Sequence, residues 1–310
     1  MVGKEKRRGE IILRAIWDSD TIQIEVTNHC VRQCANCSRH VGHHQKPYFM
    51  EFEFFKQCID SLDGTRCMVG ITGGEPLLHP DFEKMCEYAS LRFPKEQLGL
   101  WSTFPKGFEH YREVICNTFY HIFLNDHSRD DVYHHPPLVA IEEIIKHRKL
   151  MWAIIDKCWA QQCWSASINP NGAFFCEIAA SFSILFNNGG GWKVEPEWWF
   201  RTPKDFKEQI EEFCPKCGFA INIARRVSTD LIDDISPLNY EKLKDTSTKL
   251  KSGRYKIHDL QTVQELEPLA SYKDMEYRSR IAKRYGMFLV LNEYDFLTPY
   301  LYKDFRIPNL

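Results

Sequence analysis

The sequence has no excess of charge of either sign: 40 Lys and Arg stand against 42 Asp and Glu, a formal net charge of −2 over 310 residues. So balanced a chain carries no electrostatic footprint for nucleic acid. It also lacks any apolar run near the ~20 residues that cross a bilayer, so no membrane partner is expected. Residues 1–10 are charged and hold no apolar h-region, so no signal peptide is read there and a cytoplasmic location is expected. The basic group Lys4, Lys6, Arg7 and Arg8 reads as a solvated end. Internal repeats and low-complexity tracts are missing too. What remains is a 44% hydrophobic chain, long enough for one large core or for a main domain with smaller ones.

Cysteine, by contrast, is plentiful, at twelve residues. In a reducing compartment, clustered cysteines read as metal or catalytic sites rather than disulfides. Soft thiolates suit zinc, copper(I) or iron–sulfur clusters. Cys30, Cys34 and Cys37 place three thiols within eight residues. A closed structural site usually takes four ligands, so three imply a distant fourth or a position left open for chemistry. A second group comprises Cys158, Cys163, Cys176, Cys214 and Cys217. Four thiolates saturate a cluster and suit it to electron transfer. Cys58, Cys67, Cys86 and Cys116 fall on apolar faces and read as small hydrophobes.

Periodicity predicts strands over residues 21–26, 67–71, 97–103, 120–124 and 150–155. Helices are predicted over 51–62, 80–91, 108–119 and 137–147. This alternation argues for an α/β fold with a parallel sheet and right-handed crossovers. Five units are too few for an eight-unit barrel, which leaves a partial barrel or an open wound sheet. In either, chemistry gathers at the carboxyl ends of the strands. After residue 156 the texture changes. A hairpin is expected around residues 169–172, where Asn171-Gly172 marks the turn. Helices follow over 177–186 and 203–213, then "CPKC", then a charged segment with a helix-like stretch at 239–251.

Cys30-x3-Cys34-x2-Cys37 follows the first strand, and "TGGEP", residues 72–76, follows the second. The pair resembles the radical S-adenosylmethionine (SAM) superfamily over about residues 21–156. The resemblance implies a partial (β/α)6-type barrel, with residues 1–156 as its core. It implies a 4Fe-4S cluster on Cys30, Cys34 and Cys37, with the fourth iron chelating S-adenosyl-L-methionine. Reductive cleavage of SAM then gives a 5′-deoxyadenosyl radical that takes hydrogen from a substrate, while the protein positions and shields. SAM contacts are implied at Thr72, Gly73, Gly74 and Glu75, the glycines allowing close backbone approach. Asn36 stands where the family often has an aromatic residue near adenine, which leaves backbone contacts there. Ser102, Thr103 and Asn125 are candidates by their place at strand ends.

The pattern "C…NPNGAFFC…CPKC" is similar to the twitch subdomain, a shortened relative of the SPASM domain, here over residues 157–220. That likeness implies an auxiliary 4Fe-4S cluster on Cys158, Cys176, Cys214 and Cys217. Cys158 gives the longer spacing the resemblance prefers, while Cys163 lies nearer the hairpin and is the alternative first ligand. Residues 221–310 are expected to form a helical extension that covers the barrel mouth.

The substrate radical has several fates, and the resemblance to twitch dehydrogenases implies one of them: loss of an electron to a nearby closed cluster, so that a C–H beside a hydroxyl ends as a carbonyl. The expected partners are a small polar substrate (a sugar, aminocyclitol or nucleotide-like molecule) and an external electron donor such as flavodoxin or ferredoxin. A proton must leave as well, and Glu177 and His127 are candidates to take it. Trp192, Trp198 and Trp199 are candidates for stacking on a ring, with core packing as the alternative. The histidines at 40, 43, 44, 127, 134 and 135 read as solvated or locally bonded. Four rival readings are a peptide-modifying relative, an epimerase, an enzyme that rearranges the carbon skeleton of a nucleotide, and a zinc-stabilised binding module. The first is disfavoured because residues before 20 leave no room for a leader-binding domain. The last would use Cys34, Cys37, Cys214 and Cys217 as one four-cysteine site.

Overall fold

The computed structural model describes residues 15–127, 130, 132–158, 160, 165–260 and 289–291. The first half alternates strand and helix: β1 (Thr21–Thr27), α1 (Phe52–Asp60), β2 (Met68–Gly73), α2 (Phe82–Arg92), β3 (Leu98–Ser102), α3 (Arg112–Thr118) and β4 (His121–Leu124). Then come β5 (Tyr133–His134), α4 (Ile141–Ile144), α5 (Arg148–Ile155), β6 (Ser165–Asn169), β7 (Gly172–Phe174), α6 (Glu177–Leu185) and α7 (Lys207–Phe213). The last elements are β8 (Arg226–Val227), β9 (Asp233–Ile235), α8 (Pro237–Leu243), α9 (Thr248–Lys251), β10 (Tyr255–Ile257) and β11 (Leu289–Leu291).

One sheet organises the molecule, in the order β11-β4-β3-β2-β1-β6-β7. Strands β4, β3, β2, β1 and β6 run parallel, while β11 and β7 add antiparallel edges. The α/β class follows, with a mostly parallel sheet of partial-barrel type. Helices α1, α2 and α3 pack in succession against it. All seven residues of β1 are buried, so its alternation is not the in-and-out pattern of a half-exposed strand. Ile22, Ile24 and Val26 join the apolar core. Gln23 and Glu25 share the opposite face, as a period of two requires.

Two sequence expectations need correction. Residues 150–155 are not a strand but lie in helix α5, whose Met151, Ile154 and Ile155 pack with Val139 and Ile221. A six-residue apolar run fits either element, and spacing of three and four decides here for helix. The His147 ring caps that helix, accepting from Leu150 N at 3.2 Å. The strand that joins β1 instead comes from the hairpin, as β6. The helix expected over 137–147 shrinks to Ile141–Ile144, because backbone groups before it bond to distant segments. Pro137 O accepts from Gly218 N, and Leu138 O from Ser236 N.

The described part of the last segment mixes strand and helix: β9 pairs with β10, β8 pairs with β5, and α8 and α9 lie between. Among the described residues no helix is long and apolar enough to cross a membrane.

Candidate active site

The carboxyl ends of β1 and β2 are stitched together. Gly74 N donates to Thr27 O at 2.7 Å, and Glu75 N donates to His29 O at 2.7 Å. The fit requires glycine: a Cβ on Gly73 would lie 2.2 Å from Thr27 O, and one on Gly74 would lie 2.3 Å from His29 O. The "TGGEP" turn is thereby fixed to the start of the cysteine loop.

Beside this junction opens a cavity. Of the predicted site residues, Cys30, Cys34, Cys37, Asn36, Thr72, Gly73, Gly74, Thr103 and Asn125 line it. Glu75 and Ser102 do not. The Glu75 carboxylate is fully buried and accepts from Ser102 Oγ, Thr103 N and Thr103 Oγ1, each at 2.7 Å. It ties the second strand end to the third, behind the cavity wall. Burial raises its pKa, opposed by the donors from Thr103, Ser102 and Leu77.

The cavity also holds residues without a sequence signal. Arg39 lies at its polar floor, donating from Nη1 to Glu25 Oε1 at 2.7 Å, from Nη2 to Glu177 Oε2 at 2.7 Å, and from Nη2 to Gln23 Oε1. Trp101 stacks on Phe123 with centroids 4.2 Å apart, over the space left by Gly70, where a Cβ would meet its ring at 2.2 Å. A glycine inside a strand is the one signal that would have flagged this close approach. His127 and His134 are joined at 2.6 Å, Nδ1 to Nε2, and His134 Nδ1 meets Ala35 O at 2.7 Å. The carbonyl accepts, so His134 carries its proton on Nδ1 and its Nε2 accepts from His127 Nδ1. Burial pushes the His127 pKa down to about 3, with His134 adding to the shift.

A second cavity, walled by Ile155, Phe175, Ile178, Phe182 and Phe213, is lined by Cys158, Cys176, Cys214 and Cys217. Its chemistry is apolar except for the four thiols. The alternative first ligand, Cys163, lies outside the described residues. Phe219 lines both cavities and stands between them.

Burial pushes the Cys30, Cys34 and Cys176 thiols up to about 12, with neighbouring thiols adding to each. Cys214 and Cys217 are raised well above the usual range, by burial and then by Cys158. Such thiols ionise when a metal replaces their protons. Among the described residues, no three His, Cys, Asp or Glu side chains gather tightly enough for a single ion. Cys34 and Cys37 line one cavity and Cys214 and Cys217 the other, so these four are not assembled as one zinc site.

The remaining candidates divide. Glu177 and His127 both line the first cavity. Trp198 and Trp199 are core residues whose Nε1 atoms bond to Ser61, each at 3.2 Å. Trp192 packs with Trp198 and Phe206, and none of the three reaches the first cavity. His40 and His43 are buried rather than solvated, bonded to Ser181 at 2.5 Å and to Asp233 at 2.6 Å.

No protein-family model matches the chain, and no curated protein matches it. Among solved structures, that of BtrN in complex with AdoMet and 2-DOIA is 13% identical, with a TM-score of 0.44 over 64% of this chain and 93% of that one. Selenomethionine BtrN in an open conformation is 15% identical, with a TM-score of 0.41 over 64% of this chain and 86% of that one.

Proposed function

We propose that this chain is a radical SAM enzyme of the cytoplasm that oxidises a small polar substrate at a C–H bond beside a hydroxyl. The observation that carries the reading is the partition of seven cysteines: three line a cavity together with Gln23, Arg39 and Glu177, and four line a second, otherwise apolar cavity that shares Phe219 with the first. Three thiolates leave one iron of a 4Fe-4S cluster free, whereas four leave none. When bound, the first cluster with SAM supplies a radical that removes hydrogen, and the second supplies an electron acceptor.

The chain's own residues do the rest. Cys30, Cys34 and Cys37 would hold the first cluster, and Cys158, Cys176, Cys214 and Cys217 the second. Gly73 and Gly74 line the space the methionine end of SAM would take, and Thr72, Thr103, Asn125 and Asn36 line the same cavity. Gln23, Arg39 and Glu177 offer donors and acceptors to a substrate's hydroxyl or amino groups. His127, whose Nδ1–H donates to His134 Nε2, leaves its Nε2 as a hydrogen-bond acceptor for the substrate's hydroxyl. Phe219 separates the substrate space from the second cluster. Electrons for SAM cleavage would come from a flavodoxin or ferredoxin.

The test is iron and sulfide per chain after anaerobic reconstitution, in the wild type and in Cys30→Ala/Cys34→Ala/Cys37→Ala. About eight irons falling to about four is expected for two four-iron clusters. About four falling to none would remove the auxiliary cluster and with it the oxidation. Zinc in place of iron would overturn the whole reading.

A further inference from the structure

The loop that carries Cys30, Cys34 and Cys37 has little regular structure of its own, and a chain segment some two hundred residues later holds it. Asn36, between the second and third cysteines, adopts φ of 50°, in the left-handed region. Its N–H donates to Asp233 Oδ1 at 2.5 Å, and its side-chain amide donates to Asp234 Oδ2 at 2.9 Å. Its Oδ1 accepts from Asp234 N at 2.8 Å. Every polar group of its side chain is therefore taken up by β9.

Lys249 reinforces the same point. It is fully buried, and its Nζ donates to the Cys34 carbonyl at 2.8 Å and to Asp233 Oδ1 at 2.7 Å. His43, after the loop, meets Asp233 Oδ2 at 2.6 Å through Nε2 and Ser247 Oγ at 2.8 Å through Nδ1. Burial alone would raise the Asp233 pKa, but the His43 bond and the Lys249 charge hold it below the ordinary carboxylate range. Ala35 N donates to Ser228 O at 2.9 Å, and Thr248 N donates to His43 O at 3.0 Å. A buried ion pair adds little to stability over apolar packing, and in some proteins such pairs instead specify one arrangement. Here that arrangement is the shape of the cysteine loop.

We infer that residues 228–249 form a clamp, centred on Asp233 and Lys249 and closed on Asn36 and Cys34, that shapes the three-cysteine loop for its cluster before iron arrives. This rests on the reading of that loop as a cluster site, and it makes Asp233 and Lys249 positioning residues. Outer groups that orient ligands commonly change metal affinity 10–100-fold when removed.

Two measurements on the full chain test it, in Lys249→Met, Asp233→Asn and Asn36→Gly. The last is the mildest, because glycine keeps the positive φ and loses only the amide. First, amide exchange on the metal-free chain: loop residues 30–40 lose protection in each variant while β1, β2 and β3 keep theirs. Second, chelator stripping of the reconstituted chain: iron on the three-cysteine site leaves roughly 10–100-fold faster, and iron on the four-cysteine site leaves at the wild-type rate. Unchanged loop protection overturns the clamp, and so does equal loss across the sheet or equal acceleration at both sites. A wild type that takes up no iron defeats the proposed function instead, and loop exchange then decides the clamp by itself.

Discussion

Cys176 and Glu177 are consecutive in the chain, yet Cys176 lines the apolar four-thiol cavity and Glu177 lines the polar one. The cause is local. Cys176 is extended, at φ −146° and ψ 141°, and α6 begins at the next residue, so the two side chains diverge. Glu177 is then met by Arg39 at 2.7 Å, which ties the helix start to the floor of the open cavity.

The two thiol groups should separate by mutation. Cys34→Ala is expected to abolish 5′-deoxyadenosine formation, since the open cluster is lost. Cys214→Ala is expected to keep SAM cleavage and lose product. Chromatography of both products from single reactions checks this, and full product from Cys214→Ala would end the redox role of the second site.

Arg39 holds two buried carboxylates, Glu25 and Glu177, both under 5% exposed. Arg39→Met leaves them facing each other without a cation. A loss of about 3–5 kcal/mol is expected, as for other broken buried pairs, read from urea unfolding of the metal-free chain. A change under about 1 kcal/mol, the worth of a surface pair, would mean the site is far wetter than its burial implies.

Acid should destabilise the metal-free chain. Burial lowers the pKa of His40, His44, His79, His127, His134 and His258, to about 4 for His44 and about 3 for His127. Below the ordinary histidine value near 6.5 the unfolded chain binds protons that the folded chain refuses, so stability falls as pH falls. Glu25, Glu75 and Asp156, raised by burial, act the other way but are fewer. Urea midpoints should therefore drop between about pH 7 and about pH 5. His127→Gln should flatten that slope by about one proton, and an unchanged slope would deny the burial of His127.

Gly74→Ala places a methyl 2.3 Å from the His29 carbonyl oxygen, a backbone atom that cannot swing away. The turn or the cysteine loop must shift, at about 1–3 kcal/mol of strain. Calorimetry of SAM binding to the reconstituted variant should show weakened affinity with secondary structure unchanged. Wild-type affinity would mean that the turn does not border the cofactor.

Much of the first half was legible in the sequence because local pattern and tertiary role coincide there. Strands β1 to β4 and helices α1 to α3 follow their periodicity to within a few residues. Residues 150–155 misled because an unbroken apolar run has no period of its own, and only packing against Val139 and Ile221 chose the helix. The alternation of β1 was read as a strand, but Gln23 and Glu25 turn inward because Arg39, from the loop beyond, meets them. The motif gives no sign that Glu75 accepts from Ser102 and Thr103, because those donors come from the end of the next strand.

By itself, the sequence determined the alternation of strand and helix and the spacing of Cys30, Cys34 and Cys37, because both depend on residues close together in the chain. Tertiary structure alone decided that Phe219 lines both cavities, that Arg39 joins Glu25 to Glu177, and that Asp233 and Lys249 hold the cysteine loop. Those contacts join segments far apart in sequence, and no local propensity encodes which buried charge will meet which distant carbonyl.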